Sequence, residues 1–157
     1  MTGRHFRFAS THRVAAPRDD VFAILAESET WDRWWPQIRS ITAYDETRGA
    51  VHIRSVLPLT LRLELTSEVA DRESGVLRAS LAGDLIGWSQ FVLTADGPAA
   101  TLLAYTQEVD LMVDGLLGRV STWRAMRPLL IANHAAMMRS GMRGLERAAA
   151  HPGQFRG

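Results

Sequence analysis

The 157-residue chain is predicted to form an α+β fold in which one curved, seven-stranded antiparallel sheet wraps around a long C-terminal helix. Two observations predict this fold. Apolar side chains alternate with a period of two between about residues 38 and 112, and the period changes to 3.6 after residue 115. A sheet with one apolar face and a long amphipathic helix each need an apolar partner, so we expect them to cover each other.

The chain begins with a predicted strand at 5–16 and a short helix at 17–27. Pro17 suits the first position of a helix, and Asp19 and Asp20 favour its positive N-terminal end. The apolar stripe of this helix consists of Val21, Phe22 and Leu25.

A second short helix is predicted to carry three closely spaced tryptophans. They are Trp31, Trp34 and Trp35. Ser28 or Thr30 is the expected cap of this helix, and Pro36 is its end. The indoles either pack the helix onto the sheet or line a small-molecule pocket, and the two roles are compatible. Nucleic-acid stacking and membrane anchoring are disfavoured because few basic residues lie nearby.

Six further strands are predicted, separated by turn signals rich in Gly, Pro and Asp. They cover 38–45, 49–57, 60–70, 75–82, 85–95 and 100–112. Alternation is clearest where Leu61, Leu63 and Leu65 face one side and the intervening polar residues face the other. Short connections and one apolar face are typical of an antiparallel meander.

The last element is a long helix predicted at about 116–148, with Pro128 as a kink or as the point where the helix restarts. Its apolar face consists of Leu116, Val120, Trp123, Leu130, Met137, Gly141 and Leu145. The chain is expected to form one domain, 1–157, with an ordered core at about 5–148 and a frayed tail at 151–157.

The composition excludes several classes of chemistry. The chain has no Cys, which excludes disulfides, thiolate nucleophiles and Cys-bound zinc. It has no Lys, which excludes Schiff-base catalysis and a lysine-bearing phosphate loop. A net charge of +1 gives no electrostatic signature for nucleic-acid binding. Neither a signal peptide nor an apolar run of membrane-spanning length is visible, so we expect a cytoplasmic protein without stable membrane insertion.

Four stretches together resemble a known family. They are "VAAPRDDVFAIL", "WDRWWP", "GWSQFVL" leading to "TLLAYTQEV", and the long final helix. In this order they resemble the helix-grip fold of the START and birch-pollen-allergen-like (SRPBCC) superfamily, and most closely its bacterial polyketide cyclase/dehydrase and lipid-transport branch. The resemblance covers about residues 6–148.

The resemblance implies an internal cavity between sheet and helix that binds a hydrophobic or aromatic small molecule, in a monomer or a homodimer. It implies no cofactor, and the histidines lack metal-ligand spacing. Some members of the family cyclise and dehydrate polyketides, whereas others carry or sequester lipids and metabolites. Fold analogy alone does not choose between a cyclase/dehydratase enzyme and a non-catalytic carrier.

Three residues are candidates for acid–base chemistry in such a cavity. His134 follows Leu130 by four residues and therefore lies on the apolar stripe of the long helix, while Tyr105 shares a face with Leu103 on the last strand. Arg127 is a candidate partner for a carboxylate or an enolate. Each also has a structural interpretation: a satisfied histidine, a tyrosine bonded to the backbone or a solvated arginine.

The predicted ligand-binding set contains the aromatic and apolar residues expected on the inward faces and a few polar ones. Its members are Trp31, Trp34, Trp35, Leu63, Trp88, Phe91, Leu103, Gln107, Trp123, Leu130, Asn133 and Met137.

Overall fold

The predicted sheet and long helix are both present in the computed structural model, which describes residues 5–55, 60–112 and 126–155. The strands are β1 (His5–Val14), β2 (Ile38–Ala43), β3 (Arg48–Arg54), β4 (Thr60–Asp71), β5 (Val76–Gly83), β6 (Leu85–Ala95) and β7 (Thr101–Leu111). The helices are α1 (Arg18–Ala26), α2 (Trp31–Trp34), α3 (Arg127–Ala150) and α4 (Pro152–Phe155), with a 3-10 turn at Ser28–Thr30.

The strands form one antiparallel sheet in the order β1-β7-β6-β5-β4-β3-β2. The predicted strands are confirmed, with ends that differ by at most three residues, and residues 56 and 57 of the second predicted run lie outside the described residues. Leu63 is buried while Arg62 and Glu64 are exposed, as the alternation predicts. We call the face that packs against the helices the inner face of the sheet.

Helix α1 follows Pro17 directly and buries its predicted stripe, which consists of Val21, Phe22 and Leu25. Arg18, the first residue of α1, anchors the helix to the sheet. The Arg18 guanidinium donates hydrogen bonds to the carbonyl oxygens of Arg72 and Glu73, both at 2.9 Å, and to that of Leu93 at 3.2 Å. These charge-assisted bonds hold α1 against strand β6 and the turn between β4 and β5.

Two details of the second helix differ from the prediction. Neither Ser28 nor Thr30 caps it with its side chain; the Thr30 hydroxyl instead donates to the Glu27 carbonyl at 2.8 Å. Trp35 lies just beyond the helix in an extended conformation, with φ −107° and ψ 102°. The cause is Pro36, because a proline ring disfavours helical backbone at the residue before it.

In the described residues the long helix begins at Arg127, with Pro128 in its first turn, where the missing N–H costs no helical bond. Leu116, Val120 and Trp123 lie outside the described residues. Met138 is buried more deeply than Met137. Helix α4 occupies part of the stretch expected to be a frayed tail. No helix in the described ranges is long and apolar enough to cross a membrane.

Helix α3 lies against the Trp34–Trp35 pair through two glycines. The Trp34 and Trp35 rings stack with centroids 5.6 Å apart, and both side chains are buried. A Cβ on Gly141 would collide with the Trp35 ring, and one on Gly144 would collide with the Trp34 backbone carbonyl. The Trp35 indole N–H donates to the Met137 carbonyl at 3.1 Å. Glycine is therefore required for this close approach.

We expect Gly144→Ala to destabilise the protein by about 1–3 kcal/mol, because an overpacked contact with backbone cannot relax cheaply. The direction of the change in unfolding free energy tests the packing role, since Gly→Ala at an exposed helical position stabilises a protein by about 1 kcal/mol. Urea unfolding monitored by circular dichroism measures the difference. Gly153→Ala is the matched control, because nothing lies within 4 Å of its added Cβ. A stability of Gly144→Ala equal to or above that of the wild type contradicts the packing role.

Candidate functional site

A cavity of about 670 Å³ opens on the inner face of the sheet, between strands β2 to β6 and the segment that joins α1 to α2. Its volume falls in the range of small-molecule sites, roughly 300–1,000 Å³. The apolar wall consists of Leu25, Trp31, Ile41, Val51, Leu65, Leu77 and Phe91.

The cavity exists because three adjacent strands carry small side chains at matching positions. Ser67 of β4 pairs with Ala79 of β5, and Ala79 pairs with Ser89 of β6. All three residues line the cavity. Directly opposed residues point to the same face of a sheet, so this small-residue row leaves a trough where larger side chains would fill the core.

The mouth of the cavity is polar and includes the turn between β2 and β3. One Asp45 carboxylate oxygen accepts hydrogen bonds from the backbone N–H groups of Thr47 and Arg48 at 2.8 and 2.9 Å. The other oxygen accepts from the Arg48 guanidinium at 2.9 Å. The Thr47 amide and the Arg48 guanidinium lower the pKa of Asp45 well below its usual range. The turn is therefore held in one shape beside the cavity.

Two of the predicted aromatic residues line the cavity, namely Trp31 and Phe91. Trp31 is half-buried, and its indole N–H donates to the Leu25 carbonyl at 3.2 Å. Trp34 and Trp35 belong to the core beneath α3. Leu63 and Leu103 are likewise buried and are not among the residues that line the cavity.

Trp88 needs a correction, because it lies on the outer face of the sheet. It pairs with Ser80 and Glu108, which alternate with the inward-facing neighbours. The Arg78 guanidinium lies over its ring, 4.2 Å from the centroid. Trp88 is three residues from Phe91, and positions an odd number of residues apart point to opposite faces of a strand.

The structure brings three of the predicted polar residues together under α3. The His134 Nε2–H donates to Gln107 Oε1 at 3.0 Å. The His134 ring stacks on Phe8, with centroids 3.7 Å apart, and its other neighbour is the Tyr105 ring at 5.7 Å. We call His134, Gln107, Tyr105 and Phe8 the His134 cluster.

Burial keeps the titratable groups of this cluster neutral. Desolvation lowers the pKa of His134 to about 4 and raises the pKa of Tyr105. At neutral pH the cluster therefore contains an uncharged imidazole and an uncharged phenol.

The His134 cluster adjoins the cavity but lies outside its lining. Gln107 pairs with Ser89, the last member of the small-residue row. Tyr105 pairs with Phe91, and their ring centroids are 5.0 Å apart. One side chain therefore separates the imidazole from the cavity wall.

The other predicted residues of the long helix lie apart from this cluster. The Arg127 guanidinium lies over the Phe6 ring, 4.6 Å from its centroid. The Asn133 amide donates to the Met137 sulfur at 3.8 Å, and Leu130 packs against the smaller core cluster around Phe6. Trp123 lies outside the described residues.

Sequence reasoning missed the small-residue row and the residues of the mouth. Serine and alanine do not by themselves predict a binding site. Three small side chains at neighbouring inward positions nevertheless indicate a space that larger side chains would fill. That signal requires the strand register, which one sequence does not supply. Within the described ranges, no group of three or more His, Asp or Glu residues is arranged to hold a metal ion.

Comparison with known families agrees with the fold. Residues 5–150 match the family model described as polyketide cyclase / dehydrase and lipid transport. The chain belongs to this family. No curated protein sequence matches it.

Solved structures with the same fold have low sequence identity to the chain. The Zhui aromatase/cyclase from Streptomyces sp. R1128 is 16% identical, with a TM-score of 0.77 and coverage of 94% of both chains. A protein from Thermus thermophilus is 17% identical, with a TM-score of 0.78 and coverage of 94% of this chain and 99% of the other. A START superfamily protein from Mycobacterium smegmatis is 16% identical, with a TM-score of 0.69 and coverage of 93% and 98%. These matches confirm the helix-grip fold.

The buried neutral imidazole predicts a pH dependence of stability. Its folded-state pKa is lowered from 6.5 to about 4, so its contribution is present above about pH 6.5 and is lost as the pH falls towards 4. Between about pH 7 and pH 5, we expect the wild type to lose about 2 kcal/mol more unfolding free energy than His134→Gln, which does not titrate. Urea unfolding at both pH values gives this difference.

His52→Gln is the control for this measurement, because His52 is exposed. It should lose stability with acidification as the wild type does. Equal losses in the wild type and in His134→Gln would mean that the imidazole is already solvated in the folded protein.

Proposed function

We propose that the protein binds an apolar or aromatic small molecule in the cavity over the small-residue row, as a polyketide-cyclase-like binding protein. The observation that carries the proposal is an apolar cavity of about 670 Å³ between sheet and helices. Protein interiors are close-packed and hold few voids larger than a water molecule, so an unfilled space of this size is typical of a ligand site.

The residues that line the cavity suit a flat, largely apolar ligand. Trp31 and Phe91 offer aromatic surface, while Ser67 and Ser89 place two hydroxyl groups in the floor. Apolar burial supplies most of the affinity for such a ligand, and a few polar groups set its orientation. A polycyclic phenol or ketone of the polyketide type has this chemistry, as the family suggests.

A second candidate function is cyclisation and dehydration of the bound ligand by the His134 cluster. The imidazole would take a proton from an acidic carbon between two carbonyls and return it to a departing hydroxyl, with Tyr105 as a hydrogen-bond donor. The pairing of Gln107 with Ser89, which lines the cavity, favours this candidate because it brings the cluster next to the cavity. A pKa of about 4 makes His134 a weak base at neutral pH, so binding is the better supported function.

Filling the small-residue row should weaken binding. We expect Ala79→Phe to weaken the affinity for 2-naphthylmethanol at least about tenfold, a loss of about 1.4 kcal/mol, because the new ring occupies the cavity floor. Isothermal titration calorimetry measures the dissociation constant. Ser80→Phe is the matched control, since Ser80 pairs with Trp88 on the outer face. Equal affinities in the two variants would place the ligand elsewhere.

Ligand binding should be reported by one tryptophan. We expect the probe to quench tryptophan emission and Trp31→Phe to remove most of this response, because Trp31 is the indole of the described residues that lines the cavity. Trp88→Phe, on the outer face, should keep it. Full quenching in Trp31→Phe would mean that the probe binds beside another indole.

The catalytic candidate makes a separate prediction. If the His134 cluster performs the chemistry, His134→Ala should lower turnover of a poly-β-ketone by about 10²–10⁴-fold with little change in probe affinity, and His134→Gln should lose nearly as much. Product formation followed by chromatography gives the rates. Normal turnover in both variants would exclude His134 as the acid–base group.

A further inference from the structure

The charged groups around the cavity are mostly negative. Four exposed acidic residues are part of its lining, namely Glu27, Glu29, Asp45 and Glu46. They occupy both sides of the mouth, because two belong to the segment that joins α1 to α2 and two belong to the turn between β2 and β3.

The two arginines in the lining are already committed to other partners. Arg48 pairs with Asp45, with Nε and Oδ2 2.9 Å apart. Arg78 pairs with Glu68 at 3.3 Å and lies over Trp88 on the outer face, so its guanidinium points away from the cavity. Among the described residues, no ion pair engages Glu27, Glu29 or Glu46.

Uncompensated carboxylates beside a low-dielectric wall produce a negative potential at the mouth of a cleft. That potential repels a ligand carboxylate and attracts an ammonium group. Trp31, the first residue of α2, follows Glu29 by two residues and also lines the cavity. An indole next to carboxylates is a favourable environment for an organic cation, through its π face.

We propose that the cavity selects ligands whose apolar body ends in an amine or a quaternary ammonium group, with the cation at the mouth between Glu27, Glu29 and Glu46. This inference rests on the proposed function, since it concerns the same cavity. The apolar end lies over the small-residue row, and the cationic end remains at the exposed rim.

Three probes that share one ring system test the charge preference. They are 2-naphthylmethylamine, which is an ammonium at neutral pH, neutral 2-naphthylmethanol and anionic 2-naphthylacetate. We expect the ammonium to bind about tenfold more tightly than the carboxylate at low ionic strength, with the alcohol between them. Raising the salt concentration to about 0.5 M should narrow the ratio, because exposed charges are screened.

A charge-neutralising double variant identifies the groups responsible. We expect Glu27→Gln with Glu29→Gln to reduce the ammonium-to-carboxylate ratio to about two- to threefold. Glu64→Gln with Glu73→Gln is the matched control, because both glutamates are exposed and neither lines the cavity. It should keep the full ratio.

The outcomes separate this inference from the proposed function. The charge selectivity would be overturned by equal affinities for the three probes, by a preference for the carboxylate, or by a ratio that survives neutralisation of Glu27 and Glu29. In each of these cases, probe binding that Ala79→Phe weakens would still support the cavity as a ligand site. Failure of all three probes to bind the wild type would overturn both.

Discussion

The close contact between helix α3 and the Trp34–Trp35 pair determines where the remaining elements lie. Gly141 and Gly144 let the helix backbone approach the two indoles, and the Trp35 N–H bonds to the Met137 carbonyl within the same contact. Trp34 also ends α2, so the contact fixes that helix, whose first residue, Trp31, lines the cavity. Trp34 and Trp35 therefore act mainly in packing α3 against the rest of the fold, whereas Trp31 lines the cavity.

The cavity forms because large side chains fill one part of the inner face of the sheet and small side chains occupy another part. At the β1 and β7 side, α3 covers the sheet, and large or aromatic side chains such as Phe8 and Tyr105 fill the space between them. Towards β4, β5 and β6 the inward positions become small at Ser67, Ala79 and Ser89. Empty apolar volume is costly in a folded protein because its lining loses dispersion contacts. The proposed apolar ligand would restore such contacts, so the same three positions would affect both stability and binding.

The sequence alone predicted most of the fold and less of the site. The approximate strand boundaries and the buried stripe of α1 were predicted correctly because both depend on local periodicity. Trp35 was misplaced within α2 because the effect of Pro36 on the preceding backbone outweighed helical continuity. Trp88 was expected on an inward face, but the direction in which it points depends on a register that no local signal gives. The small-residue row was missed for the same reason, since its meaning appears only when three strands are paired.

The inward position of His134 was predicted from the sequence, but this position does not by itself give the residue a catalytic function. Helical period put it on the inward stripe of α3, and the structure brings it to Gln107 and Tyr105. There its ring is closed in by Phe8 on one face, and its Nε2 proton is held by the Gln107 oxygen. A buried hydrogen-bonded pair of this kind is costly to break, since removing one partner leaves the other unsatisfied at about 1–3 kcal/mol. To exchange protons with a ligand in the cavity, the imidazole would have to leave both its stack and its hydrogen bond. The arrangement therefore favours a packed, neutral cluster beside the cavity over an acid–base group within it.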